Sequence, residues 1–236
     1  MRLNQYLAKS GIGSRRECDL FIQNGLIKIN GKIIKDFSYK ITSNDCIQYK
    51  NKYVEAENNN YYFILHKPKG YVCTLNDEYK RKIIYDLLPN NLRLFSVGRL
   101  DYNTSGIIIL TNDGNFSHLL SHPKYVVIKK YYVLTDNKLH HRNILLIKKG
   151  IKIDNITMSA SPKFLERTKR GCIWEISMSE GKNREIKKIF NYFNINVLKL
   201  HRFEFAGIRL GKLKEGKYRL INKKELNQIK NNISIK

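Results

Sequence analysis

Cysteine, proline and acidic residues are all scarce in this chain of 236 residues. Its four cysteines, Cys18, Cys46, Cys73 and Cys172, are too far apart for a C-x-x-C metal knuckle or redox pair, and they outline no disulfide framework. Reduced and mostly buried thiols are expected. No stretch approaches the ~18 uninterrupted apolar residues of a membrane span, and "MRLNQYLAKSG" at the N-terminus has no long apolar core. A soluble cytoplasmic protein, monomeric and without a membrane partner, is the expectation. Acids number only 20 against 44 Lys and Arg, a formal charge of +24. Such self-repulsion points to a polyanion as partner, nucleic acid first, although heavy use of Lys, Asn and Ile also arises from AT-rich coding sequence. Hydrophobic residues make up 42% and aromatics 11%, enough for one medium core and a smaller companion and too much for wholesale disorder.

The smaller unit comes first. In "SGIGSRRECDLFIQNGLIKINGKII", Ser14 and Glu17 form a capping-box pattern and Gly25 a stop, predicting a helix from about Arg15 to Asn24. Leu3, Tyr6 and Leu7 recur before it at helical spacing, and Asn30-Gly31 between apolar residues predicts a type I′ hairpin after it. Arg15 and Arg16 occupy the helix's first turn, where the dipole disfavours cations, so they either serve a ligand or are simply well solvated. The order helix, helix, hairpin over about Met1 to Tyr53 resembles the S4 RNA-binding domain. That resemblance implies an RNA surface, to which Arg15, Arg16, Lys28 and Lys32 are assigned. The polar "VEAENNNYYF" reads as a linker, giving domains of 1–57 and 58–236.

Beyond it, "YYFILHKP", "LFSVGRL", "GIIILTNDG", "KKYYVLT", "CIWEISMS" and "NVLKLHRF" read as strands, because they are β-branched or aromatic and bounded by Gly, Pro or Asn. Helices are predicted in "DGNFSHLLSHP" and in "KNREIKKIFNYF", whose Ile186, Ile189, Phe190 and Phe193 share one face opposite Arg184, Lys187, Lys188 and Asn191. The fold class is α+β, with a mostly antiparallel or mixed sheet. Asp113, in "TNDG", is explained by a tight turn leaving a strand. Asp101 falls in the polar loop "DYNTSG" between apolar strands, beside Arg99, a placement suited to a reactive group, while an Asx-turn is the plain structural alternative. The loop partly matches an EF-hand, but position 12 is Asn112 and the flanks are strands, so calcium is not expected. Nor is any metal expected at the six histidines.

"GRLDYNTSG" followed by "TNDG", together with "LHKPKG", "KKYYV" and "EGKNREIKKIF" in that order, resembles the RsuA family of ribosomal RNA pseudouridine synthases, whose members usually carry an N-terminal S4 domain. The resemblance runs nearly end to end. It implies uridine isomerisation in ribosomal RNA, without metal or cofactor, with Asp101 as nucleophile and Tyr131 stacked near the target base. It also makes Lys187 the partner of Asp101, at a position where the family usually has arginine. Arg99 is assigned to holding the flipped nucleotide, and Arg184 and Lys188 to RNA contact, because Gly181 to Lys230 carry 14 Lys and Arg against 4 Asp and Glu. The tail and "NDEYKRKIIYDLLP" look more like large-subunit members. A small-subunit target, a tRNA-directed synthase and a non-catalytic S4-type binding protein are the alternatives.

Overall fold

The computed structural model describes residues 1–89 and 92–235, and its backbone contacts divide into a unit of Met1–Asn60 and a larger one starting at Tyr61. In the first, α1 (Leu3–Lys9) and α2 (Arg15–Gln23) precede two hairpins, β1 (Ile27–Ile29) with β2 (Lys32–Ile33) and β3 (Ile47–Tyr49) with β4 (Lys52–Tyr53). Helix α2 starts on a closed capping box: Glu17 N donates to Ser14 Oγ at 3.2 Å, and Ser14 N donates to Glu17 Oε2 at 2.6 Å. Asn30 and Gly31 both take positive φ, 52° and 81°, as a type I′ turn demands. Strand order is β2-β1-β3-β4, all antiparallel. Leu3, Leu7, Cys18, Ile22, Ile27, Ile29 and Ile47 form its core.

The second unit contains β5 (Tyr62–Lys67), β6 (Phe95–Val97), β7 (Ser105–Thr111), α3 (Gly114–Ser121), β8 (Tyr125–Val126), β9 (Lys129–Thr135) and α4 (His141–Lys149). There follow β10 (Ile151–Ile153), β11 (Ile156–Met158), β12 (Ser161–Thr168), β13 (Gly171–Met178), α5 (Glu185–Tyr192), β14 (Val197–Phe205), β15 (Ile208–Arg209), β16 (Tyr218–Leu220), α6 (Lys223–Asn231) and β17 (Ser234–Ile235). The main sheet runs β12-β13-β9-β14-β7-β5-β16, with β6 paired to β7 and β15 to β14. Only the β7–β14 pairing within it is parallel, so the α+β mixed-sheet reading holds.

Strand β7 is buried on both faces, which is why it reads as an unbroken apolar run. Ile108 and Leu110 pack with Ile186, Ile189 and Phe190 of α5, whereas Ile107 and Ile109 pack with Phe116 and Leu120 of α3 and Ile229 of α6. The two-residue period of a strand thus divides the core between the two faces of the sheet. Gly106 has φ +125°, and a Cβ there would lie 2.2 Å from the Arg202 carbonyl oxygen. Only glycine permits β7 and β14 to meet where they do, and that contact fixes the far end of the Asp101 loop.

Asp113 differs from the expected tight turn. It is the N-cap of α3, with Oδ1 accepting from the amides of Asn115 and Phe116 at 3.0 and 3.1 Å and Oδ2 from the Tyr62 hydroxyl at 2.8 Å. The carboxylate is consumed by structure, as anticipated, but it starts a helix. Among the described residues no disulfide joins the cysteines; Cys18 and Cys172 are buried, Cys73 half-buried and Cys46 exposed. Among the described residues no helix is long and apolar enough to cross a membrane.

Candidate active site

Asp101 lies in the turn between β6 and β7, and the loop around it is held by a buried ammonium. Lys67, the last residue of β5, is fully buried. Its Nζ donates to the carbonyl oxygens of Pro68 (2.9 Å), Asp101 (3.2 Å), Tyr102 (3.4 Å) and Thr104 (2.9 Å). Three N–H bonds serve four acceptors, so the donors are shared. Burial pushes the Lys67 pKa down to about 8, opposed by the neighbouring Cys73 and Asp101. Two backbone bonds complete the turn, Thr104 N to Asp101 O at 3.0 Å and Gly70 N to Tyr102 O at 2.9 Å. Lys67 lies inside "LHKPKG" and was not among the expected site residues; its one local signal is a lysine closing the apolar run of β5.

With its backbone fixed in this way, Asp101 presents its carboxylate to α5, where Lys187 Nζ stands 3.1 Å from Oδ2. Lysine offers one point of contact here, where arginine would offer a fork. Asp101 lines a cavity of about 310 Å³ together with Arg99, Lys129, Tyr131, Leu200 and Arg202, a volume suited to a small organic group. Tyr131, on β9, is 7% exposed. Its neighbour Tyr132 points to the other face of the strand and stacks on Phe203, with ring centroids 4.1 Å apart.

The cavity wall is rich in buried polar groups that sequence reasoning missed. Lys129 Nζ donates to the Val127 and Ser179 carbonyls at 2.9 Å each, and burial, reinforced by Arg202, pushes its pKa down to about 8. Glu185 Oε2 accepts from Lys182 N at 2.8 Å, while burial raises the acid's pKa. Arg202 Nε donates to Ile107 O at 2.8 Å. Among the described residues, four buried side-chain polar atoms have no hydrogen-bond partner, and three of them, Thr104 Oγ1, Glu185 Oε1 and Arg202 Nη2, belong to residues lining this cavity.

The other candidate residues divide by position. Arg99 and Arg184 are exposed and line the cavity, Arg184 with φ 53° immediately before α5. Lys188 instead forms a surface ion pair with Asp154 at 2.8 Å. In the first unit Arg15, Arg16 and Lys32 are exposed and Lys28 is half-buried. His118 on α3 and His122 just past its end have rings 4.6 Å apart, but among the described residues no group of three or more His, Cys, Asp or Glu gathers to hold a metal ion.

Residues 61–192 match the family model described as RNA pseudouridylate synthase, and residues 1–47 match that of the S4 domain. The chain is 33% identical to the ribosomal large subunit pseudouridine synthase B of Bacillus subtilis, over 97% of this chain and 95% of that one. It is 32% identical to an uncharacterized RNA pseudouridine synthase of Aquifex aeolicus, over 100% and 96%. A crystal structure of a pseudouridylate synthase superimposes with a TM-score of 0.71 at 28% identity, covering 97% of this chain and 99% of the other.

Proposed function

Because the chain belongs to the RNA pseudouridylate synthase family and carries an S4 domain, we propose that it isomerises uridine to pseudouridine in the ribosomal RNA of the large subunit. The carrying observation is the Asp101 carboxylate, 3.1 Å from Lys187 Nζ, in a cavity shared with Tyr131. Likeness to a large-subunit synthase over nearly the whole chain supports the choice of target. It acts in the cytoplasm as a monomer, where its substrate is made.

Uridine and pseudouridine are isomers, so the reaction requires no electron donor and no energy source. The N1–C1′ bond breaks, the base turns, and C5 takes the place of N1. The target nucleotide must leave its RNA stack to reach Asp101. Tyr131 offers a flat face to the extruded base, and Arg99, exposed and lining the cavity, holds the flipped nucleotide. The Asp101 carboxylate then either adds to C1′ or removes the 2′ proton to give a glycal, and both routes need it ionised and fixed in place. Lys187 supplies a balancing charge and a hydrogen bond to Oδ2. Lys188 and Arg184 on the same segment, and Arg15, Arg16, Lys28 and Lys32 of the S4 domain, contact the RNA backbone.

Purified protein incubated with 16S and 23S transcripts should form pseudouridine in 23S alone. Conversion of 16S alone would move the target to the small subunit, and conversion of neither would remove the function.

Two predictions separate chemistry from binding. Lys187→Ala should slow single-turnover isomerisation by about 10- to 100-fold through loss of carboxylate positioning, whereas Lys187→Arg should remain within about tenfold of wild type. Equal rates for all three proteins would place Lys187 outside the reaction. Arg15→Ala combined with Arg16→Ala should weaken RNA binding and reduce the slope of log K against log salt by about 1–2, since fewer counterions are released. Turnover on saturating RNA should not change, and an unaltered salt slope would put the S4 contact elsewhere.

A further inference from the structure

Arg202 is 2% exposed yet engages only part of its guanidinium. Its Nε is bonded to Ile107 O at 2.8 Å and the group lies 4.7 Å from the Phe205 ring centre, while Nη2 has no partner. These two contacts hold the guanidinium in place and leave Nη2 buried without an acceptor. A buried charged donor left unsatisfied is costly, and this one belongs to a residue lining the cavity of Asp101 and Tyr131. The neighbouring candidates are weaker. The Thr104 hydroxyl is uncharged and free to rotate, Glu185 has the Ser159 amide nearby, and Lys129 already serves two carbonyls.

Both routes from Asp101 share one demand. When N1–C1′ breaks, the electron pair stays with the base, and the detached uracil is an anion with charge spread over N1, O2, C5 and O4. Its C5 then attacks C1′, loses its proton once bonded, and N1 gains one, so atoms and charge balance. A fixed cationic N–H against O2 or O4 strengthens as that charge develops, which lowers the barrier instead of merely tightening binding. We infer that Arg202 Nη2 donates to a carbonyl oxygen of the extruded uracil and stabilises the base anion after N1–C1′ cleavage, an assignment that rests on the pseudouridine synthase reading.

The test compares uridine with 5-fluorouridine at the target position of the same RNA, because fluorine stabilises the base anion by itself. Arg202→Gln should lower single-turnover consumption of uridine by about 100-fold with RNA affinity unchanged, and that of 5-fluorouridine by about tenfold or less. If the glutamine variant does not fold, Arg202→Lys, which keeps a charge beside Ile107 and Phe205, must show the same difference between substrates. Equal fold-losses on both, or a loss confined to RNA affinity, would reduce Arg202 to its Ile107 and Phe205 contacts. Failure of the wild type to convert uridine at all would instead overturn the functional reading itself.

Discussion

Asp101→Asn should abolish isomerisation, with a loss of at least ~10⁴ in single-turnover rate, while fold and RNA affinity persist. Asparagine matches the carboxylate in size and can still accept a hydrogen bond from Lys187, so only the negative charge is removed. The loop itself is held through the carbonyl oxygens of residues 101, 102 and 104 on Lys67, none of which depends on the Asp101 side chain. Release of the C5 hydrogen from C5-tritiated uridine in the RNA reads the reaction directly, because that hydrogen leaves only when C5 bonds to C1′. A rate within tenfold of wild type would exclude Asp101 as the reacting group.

Lys67→Met should be the next most damaging change, although Lys67 touches no substrate. Methionine roughly fills the space but leaves the four carbonyls without their donor, costing about 2–4 kcal/mol of stability. The freed loop misplaces Asp101, and a displacement of about 1 Å is enough to slow the reaction by about 10²-fold or more. Its pKa of about 8 lies below the ordinary 10.5. Between those values the unfolded chain binds more protons than the folded one, so the stability contributed by Lys67 rises with pH across that window. The gap in unfolding free energy between wild type and Lys67→Met should therefore widen from about pH 8 towards 10.5 in urea titrations. An unchanged rate in Lys67→Met would show that the ammonium does not hold the loop, and a gap constant across that window would show that burial does not depress its pKa.

Much of this site is legible in the sequence, and the parts that are not have a common cause. Capping at Ser14, the Asn30-Gly31 hairpin and the six apolar strands are local features, written within a few residues of where they act. The β3–β4 hairpin escaped because it turns on Lys50 and Asn51, both with positive φ, in place of an Asn-Gly pair. Helices α4 and α6 also went unread, although α6 opens on a capping box of Asn222 and Glu225. Asp113-Gly114 carried a turn signal that serves a helix N-cap equally well, and only the Tyr62 hydroxyl and the amides beyond distinguish them. Lys67, Arg202 and Gly106 act across the sheet: β5 reaches the Asp101 loop, and β14 meets β7 at the Gly106–Arg202 contact. Nothing in their immediate neighbours announces those partners.

The most direct test of the account is a pseudouridine map of 16S and 23S ribosomal RNA from cells lacking the gene, complemented with wild type or with Asp101→Asn. One uridine of 23S RNA should be unmodified without the gene, restored by wild type and left unmodified by Asp101→Asn. An unchanged map in the deletion, or restoration by Asp101→Asn, would contradict it.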